Sequence, residues 1–279
     1  MDQNLRRFRD AVAAERVRIN LAEAALLCAQ DFYPDLDIPD TIKRIDSLAD
    51  TLKRRLPADF STTHRLLALN NYLFRELGFA GDADNYYDPR NSFLNDVLAR
   101  KTGIPITLSI LYIEIGARLG LKLKGVSFPG HFLVKIRVTG GDLVLDPYEG
   151  GRSLSEEDLR ERLARFTGEE AAQSLPLEEF LESASPRQIL ARLLRNLKAI
   201  YLEAKELDRA LTVMNRLVIL LPDVPEERRD RGLAFAELEC PRAAADDLAF
   251  YAKQRPLADD AEKIAAQLAA MTINAARLN

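Results

Sequence analysis

The sequence predicts an α+β, mostly helical protein, with a small antiparallel sheet in an N-terminal domain and a helical array in the C-terminal third. Three observations predict this class. Apolar residues recur at helical spacing between Gly103 and Gly120, strand-forming runs follow at 132–138 and 143–145, and a 34-residue repeat begins after residue 186.

Residues 1–80 show the spacing of helices, and the first of these is predicted over Leu5–Val17. The polar loop that follows, residues 78–91, contains Tyr86 and Tyr87. Two interpretations of this loop stay open. It is either a turn whose tyrosines pack on the core, or a rim over a binding site, since such loops often carry recognition.

A buried helix is predicted to begin at Pro105 and to end near Leu119. Proline suits the first helical position because its missing N–H has no partner to lose there. Ile106, Ile110 and Ile113 then recur at three- and four-residue spacing.

The hairpin that follows decides whether His131 and Asp146 meet. Its turn lies within residues 139–142, and two registers are open. One places Asp146 opposite Lys135, and the other places it opposite Leu133. Both keep His131 and Asp146 on one face of the sheet, and the second leaves them diagonal neighbours, roughly 7–8 Å apart. A His131–Asp146 hydrogen bond is therefore predicted.

A further helix is predicted over Glu156–Phe166, with Ser155 as its N-cap. Residues 167–186 are expected to form an irregular connector. We place a domain boundary near Ser185–Pro186, which gives a first domain of residues 1–185 and a second of residues 186–279.

The second domain contains an internal repeat of 34 residues, typical of the tetratricopeptide pattern. Two repeats are predicted, followed by a capping helix over Leu257–Met271. The equivalent pairs are Tyr201 with Phe235, Ala210 with Ala244, Met214 with Leu248, and Pro222 with Pro256.

Composition excludes several classes of function. The net charge is −4, which gives no reason to expect direct nucleic-acid binding. Two cysteines and two histidines form no zinc-binding spacing, so no metal and no cofactor is expected, and so few cysteines fit a cytoplasmic protein. Glu114 and Arg118 interrupt the most apolar helix, so no membrane span is expected.

One stretch resembles a known family. It runs from Asn91-Ser-Phe-Leu, through Gly103-Ile-Pro-Ile-Thr-Leu-Ser-Ile-Leu-Tyr and Gly130-His131, to Asp146-Pro-Tyr-Glu-Gly-Gly. It is similar to the transglutaminase-like (papain-like) superfamily, and within it to the bacterial SirB-type regulator family. The resemblance implies a transglutaminase-like core followed by a tetratricopeptide-like array.

The resemblance also implies a Cys-His-Asp triad, of which His131 and Asp146 are present. The family's cysteine position falls at or next to Pro105, whereas Cys28 and Cys240 lie far away in sequence. Thr107 and Ser109 are the nearest hydroxyls and are weak nucleophile candidates, because hydroxyls in a first helical turn usually bond to the backbone.

Three functions follow from these observations. The first is a non-catalytic module that binds a protein or peptide in a regulatory role, a pseudoenzyme in its transglutaminase-like part. The second is a hydrolase or acyl transferase that uses the His131/Asp146 dyad with a non-cysteine nucleophile. The third is a scaffold whose function lies in the repeats alone. The missing cysteine favours the first and the third.

A peptide-binding surface is predicted on the first helices of the repeats. By resemblance, Arg192, Arg195 and Arg229 would line the concave face, together with apolar residues. Three arginines would suit an acidic segment or a terminal carboxylate. The apolar residues are Ala199, Leu202, Leu233 and Ala236.

Overall fold

The computed structural model describes residues 3–13 and 19–277, with side chains described up to residue 271. The chain forms two compact units, one of residues 14–193 and one of residues 1–13 together with 194–279. The predicted helix over Leu5–Val17 is observed as α1, Gln3–Val12. The remainder of that prediction, residues 14–17, lies outside the described residues.

The first unit is built mainly of helices. Its core is mostly apolar and includes a few buried polar side chains such as Asn91 and Thr107. The helices are α2 (Leu21–Ala29), α3 (Ile38–Lys53), α4 (Thr62–Asn70), α5 (Leu94–Arg100), α6 (Pro105–Arg118), α7 (Glu156–Thr167), α8 (Glu169–Ser174), α9 (Leu177–Phe180) and the first turns of α10 (Pro186–Glu203).

Helix α6 is the centre of this unit and confirms the predicted buried helix. It begins at Pro105, contacts α2, α3 and α5, and buries most of its residues, including Ile106, Ile110 and Ile115. Tyr112 on this helix donates a hydrogen bond of 2.5 Å to Asn70 Oδ1, and Asn70 Nδ2 donates to the Gly151 carbonyl at 2.9 Å. Asn70 therefore ties α6 to the segment that follows the hairpin.

The described residues of this unit form two sheets. β1 (Ala80–Gly81) pairs in parallel with β2 (Thr102–Gly103). The larger sheet is antiparallel, and its four strands lie in chain order. They are β3 (Lys124–Val126), β4 (Leu133–Val138), β5 (Gly141–Asp146) and β6 (Arg152–Leu154).

The hairpin between β4 and β5 takes the second of the two predicted registers. Val134 pairs with Leu145, and Val138 pairs with Gly141. The turn is therefore Thr139–Gly140, and Gly140 has a positive φ of 103°, which glycine adopts without steric cost. The register that would place Asp146 opposite Lys135 is wrong.

Helices α7, α8 and α9 pack on the sheet. Ala172 of α8 and Leu177 of α9 join a buried cluster that includes Val126, Leu133 and Leu163. The expectation of an irregular connector over residues 167–186 is therefore wrong, because these apolar residues complete the core. Ser155 caps α7 as predicted.

The second unit contains the C-terminal part of α10, followed by α11 (Leu207–Leu220), α12 (Pro225–Glu237), α13 (Pro241–Gln254) and α14 (Ala261–Arg277). Its backbone repeats every 34 residues. The amide of Glu206 donates to the Tyr201 carbonyl at 2.8 Å, and the amide of Cys240 donates to the Phe235 carbonyl at 2.8 Å. Helix α1 also belongs to this unit. It contacts α11 and buries Phe8 and Val12 completely.

The two compact units do not divide at the predicted domain boundary, Ser185–Pro186. They divide between Leu193 and Leu194, within α10, and residues 1–13 join the C-terminal unit. The first turns of α10 belong to the first unit because Ile189 packs beside Phe132 and Gly125 of the sheet region.

Candidate functional site

His131 and Asp146 form the predicted pair. His131 Nε2 lies 3.0 Å from Asp146 Oδ2 and 3.1 Å from Oδ1. His131 follows a tight turn in which its amide donates to the Phe128 carbonyl at 3.1 Å. Asp146 ends β5, and its side chain accepts a hydrogen bond of 2.9 Å from the amide of Tyr148. The aspartate side chain is fully buried, whereas that of His131 is 18% exposed.

Arg162 is a third member of this group that sequence analysis missed. Its guanidinium lies 2.8 Å from Asp146 Oδ2 and 2.7 Å from Glu149 Oε1. Burial by itself would raise the pKa of Asp146, but the hydrogen bond and charge of His131, the charge of Arg162 and the Tyr148 amide together hold that pKa below its ordinary value. Asp146 is therefore an ionised carboxylate between two basic side chains.

Helix α7 covers the dyad from one side. Arg162 and Phe166 are four residues apart and therefore lie on one face of this helix. The Phe166 ring sits against Gly130, where a Cβ atom would lie 1.7 Å from the ring's Cζ, and Gly130 has a positive φ of 65°. Glycine is required next to His131 for both reasons.

Tyrosine rings extend from His131 towards solvent. The rings of His131 and Tyr148 have centroids 5.9 Å apart, those of Tyr148 and Tyr86 6.4 Å, and those of Tyr86 and Tyr87 5.2 Å. Tyr87 is 76% exposed. We call these four side chains the aromatic row. The row agrees with the interpretation of loop 78–91 as a rim near His131.

The loop that carries Tyr86 and Tyr87 is held by a buried asparagine. Asn91 Nδ2 donates to Asp82 Oδ2 at 3.0 Å and to the Asn85 carbonyl at 2.8 Å. Its Oδ1 accepts a hydrogen bond from Arg100 at 3.1 Å. Because Asn91 is fully buried and bonded on both sides of its amide, it fixes the loop that presents the tyrosines.

The start of α6 provides no exposed nucleophile. The Thr107 hydroxyl donates to the Asn91 carbonyl at 2.7 Å and accepts from the Ile104 amide at 3.1 Å. Ser109 is likewise fully buried. The structure therefore places both hydroxyls inside the core, and the Thr107 hydroxyl takes part in the hydrogen bonds at the start of the helix. Cys28 is buried in α2, as predicted, and Cys240 is exposed at the start of α13 in the other unit.

The three predicted peptide-binding arginines do not form one basic set. Arg195 lies 2.7 Å from Glu227, and Arg229 lies 2.8 Å from Asp230. These carboxylates offset both charges, so charges of both signs lie around these two arginines of the repeat face. Arg192 belongs to the first unit and forms no ion pair within the described part of the chain.

Within 3–13 and 19–277, no group of three or more His, Cys, Asp or Glu side chains is placed to hold a metal ion. In the same part of the chain, no helix has the length and apolar character needed to cross a membrane.

Comparisons with known proteins agree with this architecture. A family model described as transglutaminase-like superfamily matches residues 39–195, and a tetratricopeptide repeat model matches residues 197–269. A UPF0162 protein of Xylella fastidiosa (strain Temecula1) is 42% identical over 250 residues, which cover 89% of this chain and 88% of the relative.

Two other relatives carry individual names. Protein SirB1 of Salmonella typhimurium is 30% identical over 85% of this chain and 86% of its own length. The UPF0162 protein YchA of Escherichia coli (strain K12) is 29% identical over the same shares. With a His131–Asp146 pair whose aspartate is buried, and a 34-residue helical repeat later in the chain, the chain belongs to the transglutaminase-like superfamily and, within it, to the family of the UPF0162 and SirB1 proteins.

Proposed function

We propose that this protein is a non-catalytic transglutaminase-like protein that binds a protein or peptide partner in a regulatory role. The observation that carries the proposal is the start of α6. The family's thiol position, which the resemblance places at or next to Pro105, has no cysteine, and the neighbouring hydroxyl of Thr107 is buried and hydrogen-bonded. Thiol chemistry needs a thiolate beside the imidazole, and a hydroxyl is much harder to deprotonate.

The charges around Asp146 support the same proposal. In a triad, the carboxylate orients the imidazole and stabilises the cation formed when a nucleophile loses its proton. Here Asp146 also pairs with Arg162, and Glu149 pairs with Arg162 as well. The ion pairs of Arg162 with Asp146 and with Glu149 therefore hold β5, the segment after it and α7 together.

The repeats supply the proposed binding surface. Tetratricopeptide arrays present the first helix of each repeat to their ligands. Leu202 on α10 is 39% exposed, and Ala199 beside it is exposed. An apolar strip between balanced ion pairs suits a peptide that contributes apolar anchors more than one that contributes acidic residues.

Covalent labelling tests the absence of thiol catalysis. The full-length protein is treated with an electrophilic glutamine analogue, and bound adducts are located by mass spectrometry. We expect no adduct at Cys28 or Cys240 that depends on His131, and no activity change in Cys28→Ser or Cys240→Ser. An adduct at either cysteine that disappears in His131→Ala would refute the proposal.

A displayed peptide library tests the binding surface. Full-length protein selects peptides, and the selection is repeated with Leu202→Glu and with Leu257→Glu as the matched control, because Leu257 is 95% exposed and lies in the connection after α13. We expect enriched sequences with wild type and with Leu257→Glu but not with Leu202→Glu. Equal enrichment by all three proteins would exclude the Leu202 face.

A hydrolase or acyl transferase is the second candidate function, favoured by the intact His131–Asp146 contact. Water activated by His131 would be its nucleophile. Hydrolysis of p-nitrophenyl acetate by wild type and by His131→Ala distinguishes the two functions. The non-catalytic proposal expects equal background rates, whereas a rate that falls at least tenfold in the variant would support the hydrolase.

A further inference from the structure

The two helices of the second repeat meet through a buried charge. Asp247 on α13 lies 2.8 Å from Arg228 and 2.6 Å from Arg231, and both arginines belong to α12. The Asp247 side chain is 2% exposed, and those of the two arginines are 26% and 19% exposed. We call these three side chains the Asp247 cluster. Because its carboxylate and its arginines stand on different helices, the cluster exists only while α12 and α13 are in contact.

Two further contacts hold the arginines of the cluster in place. Arg231 donates a hydrogen bond of 2.9 Å to Asn215 Oδ1 on α11. The guanidinium carbon of Arg228 lies 4.1 Å from the centroid of the Phe250 ring on α13. The cluster is therefore an ordered part of the contact between these helices.

The first repeat has apolar residues at the three equivalent positions. The residues 34 positions before the cluster are Leu194, Leu197 and Val213, and all three are fully buried. Separating apolar side chains loses the free energy of their burial, whereas separated charges regain hydration. Buried ion pairs are accordingly often no more stabilising than apolar residues of similar volume. We therefore expect the contact between α12 and α13 to open more easily than its counterpart in the first repeat.

Gly232 weakens α12 at the same place. It stands inside the helix, where the first repeat has Lys198. A Cβ atom at this glycine would lie 2.9 Å from Leu248 and 3.1 Å from Asp247, so a larger residue would have to displace one of these side chains. Glycine is also, after proline, the residue that favours a helix interior least. The residue that allows the close contact therefore lowers the stability of α12.

We propose that the Asp247 cluster is a conformational device: α13 opens from α12 while α10 and α11 stay folded, and the cluster sets how readily this happens. Helix α14 moves with α13, because Leu248 and Tyr251 of α13 form one buried cluster with Ile264 of α14. Opening uncovers the face of α12 around Gly232, which a partner can reach only in the open form. The device goes beyond peptide binding by the repeats, and its test needs no peptide.

Native-state hydrogen exchange of the full-length protein, followed by mass spectrometry, tests the device. Helices α11 and α13 are both 14 residues long, so their exchange rates can be compared directly. We expect the amides of α13 to exchange at least about tenfold faster than those of α11. Equal rates in the two helices would overturn the proposal. Helix α11 also contacts α1, so variants are needed to assign the difference to the cluster.

A triple variant gives the second repeat the residues of the first. Arg228→Leu, Arg231→Leu and Asp247→Val together should slow the exchange of α13 at least about tenfold and leave that of α11 unchanged. A folded triple variant whose α13 exchanges as fast as in wild type, or faster, would refute the role of the cluster.

Two single variants keep the test decisive if the triple variant does not fold. Asp247→Val leaves both arginines without their carboxylate and should speed the exchange of α13 at least about tenfold, again without an effect on α11. Asp246→Val, the same change at the exposed neighbouring position, should stay within about threefold of wild type. Equal α13 rates in the two variants, or acceleration of α11 by the same factor, would show that the repeats do not open separately at this cluster.

Discussion

At the scale of single residues, Asp146 is where the charges of the site converge. It is fully buried, bonded to His131 and the Tyr148 amide, and paired with Arg162. We expect Asp146→Asn to lower the free energy of unfolding by about 3 kcal/mol at pH 7, since removing one member of a buried pair leaves the other charge uncompensated. Urea denaturation measures this loss, with Asp142→Asn at the exposed hairpin as control. The control should change the stability by less than about 0.5 kcal/mol.

The pH dependence of this difference follows from the direction of the pKa shift. The pKa of Asp146 in the folded protein is below its ordinary value of 3.8. Its contribution to stability is therefore fully present above the unfolded pKa and is lost as the pH falls through the folded one. The stability gap between wild type and Asp146→Asn should narrow as the pH falls below 3.8. A gap that stays constant across that range would show that the variant acts through packing alone.

Sequence analysis predicted part of this site. His131 and Asp146 were found because strand pairing restricts which residues share a face. Arg162 was not, because a helix sequence gives no sign of which of its several arginines points at a distant strand. The only available signal was its four-residue spacing from Phe166, which places both on one face of α7.

At the scale of elements, the packing of α7 depends on Gly130, the glycine next to His131. Gly130 has a positive φ, and a side chain there would collide with the Phe166 ring. Gly130→Ala should therefore cost more than Gly78→Ala, because Gly78 also has a positive φ but no atom lies within 4 Å of the place that its new methyl group would take. We expect about 1 kcal/mol for Gly78→Ala, from backbone strain alone. The additional cost of Gly130→Ala should largely vanish in a Phe166→Ala background, as measured by a double-mutant cycle of unfolding free energies. A cycle with no coupling would mean that Phe166 does not rest on Gly130.

The repeat elements end in a strained backbone that recurs. Lys205 and Glu239, which are 34 residues apart, have positive φ values of 58° and 56°. We expect Lys205→Gly and Glu239→Gly each to raise the free energy of unfolding by about 0.5–1 kcal/mol, because glycine adopts this conformation without strain. Ala249→Gly, at an exposed position inside α13, should lower it by about 1 kcal/mol. Thermal unfolding checks all three variants. A lower free energy of unfolding in both Lys205→Gly and Glu239→Gly would contradict the expected relief of backbone strain.

The helices and strands were predicted most accurately where apolar residues recur at regular spacing over many residues. Helix α6 and the 34-residue repeat were found because their apolar residues recur over many turns. β6 and the short helices α8 and α9 were missed, because each is too short to show a period. They form because Leu154, Ala172 and Leu177 are needed to complete the buried cluster on the sheet.

At the scale of the whole molecule, chain order and spatial grouping differ. Helix α1 belongs to the same compact unit as the repeats, from which it is separated by some 180 residues of chain. The sequence of α1 is amphipathic, but an amphipathic helix gives no indication of which distant surface it covers. A domain boundary at Ser185–Pro186 therefore assigns residues 1–13 and residues 194–279 to different domains, although they belong to one compact unit.

A fragment of residues 186–279 tests this grouping. It lacks α1, so the surface of α11 that Phe8 and Val12 cover becomes exposed, and two repeats are fewer than the three that such arrays usually need. We expect the fragment to melt without a cooperative transition by circular dichroism, and a peptide of residues 1–13 added in excess to restore cooperativity. The same peptide with Phe8→Ala should not, because loss of a fully buried phenylalanine costs about 3–5 kcal/mol. A fragment that melts alone, cooperatively and at the temperature of the intact protein, would show that α1 is dispensable for the repeats.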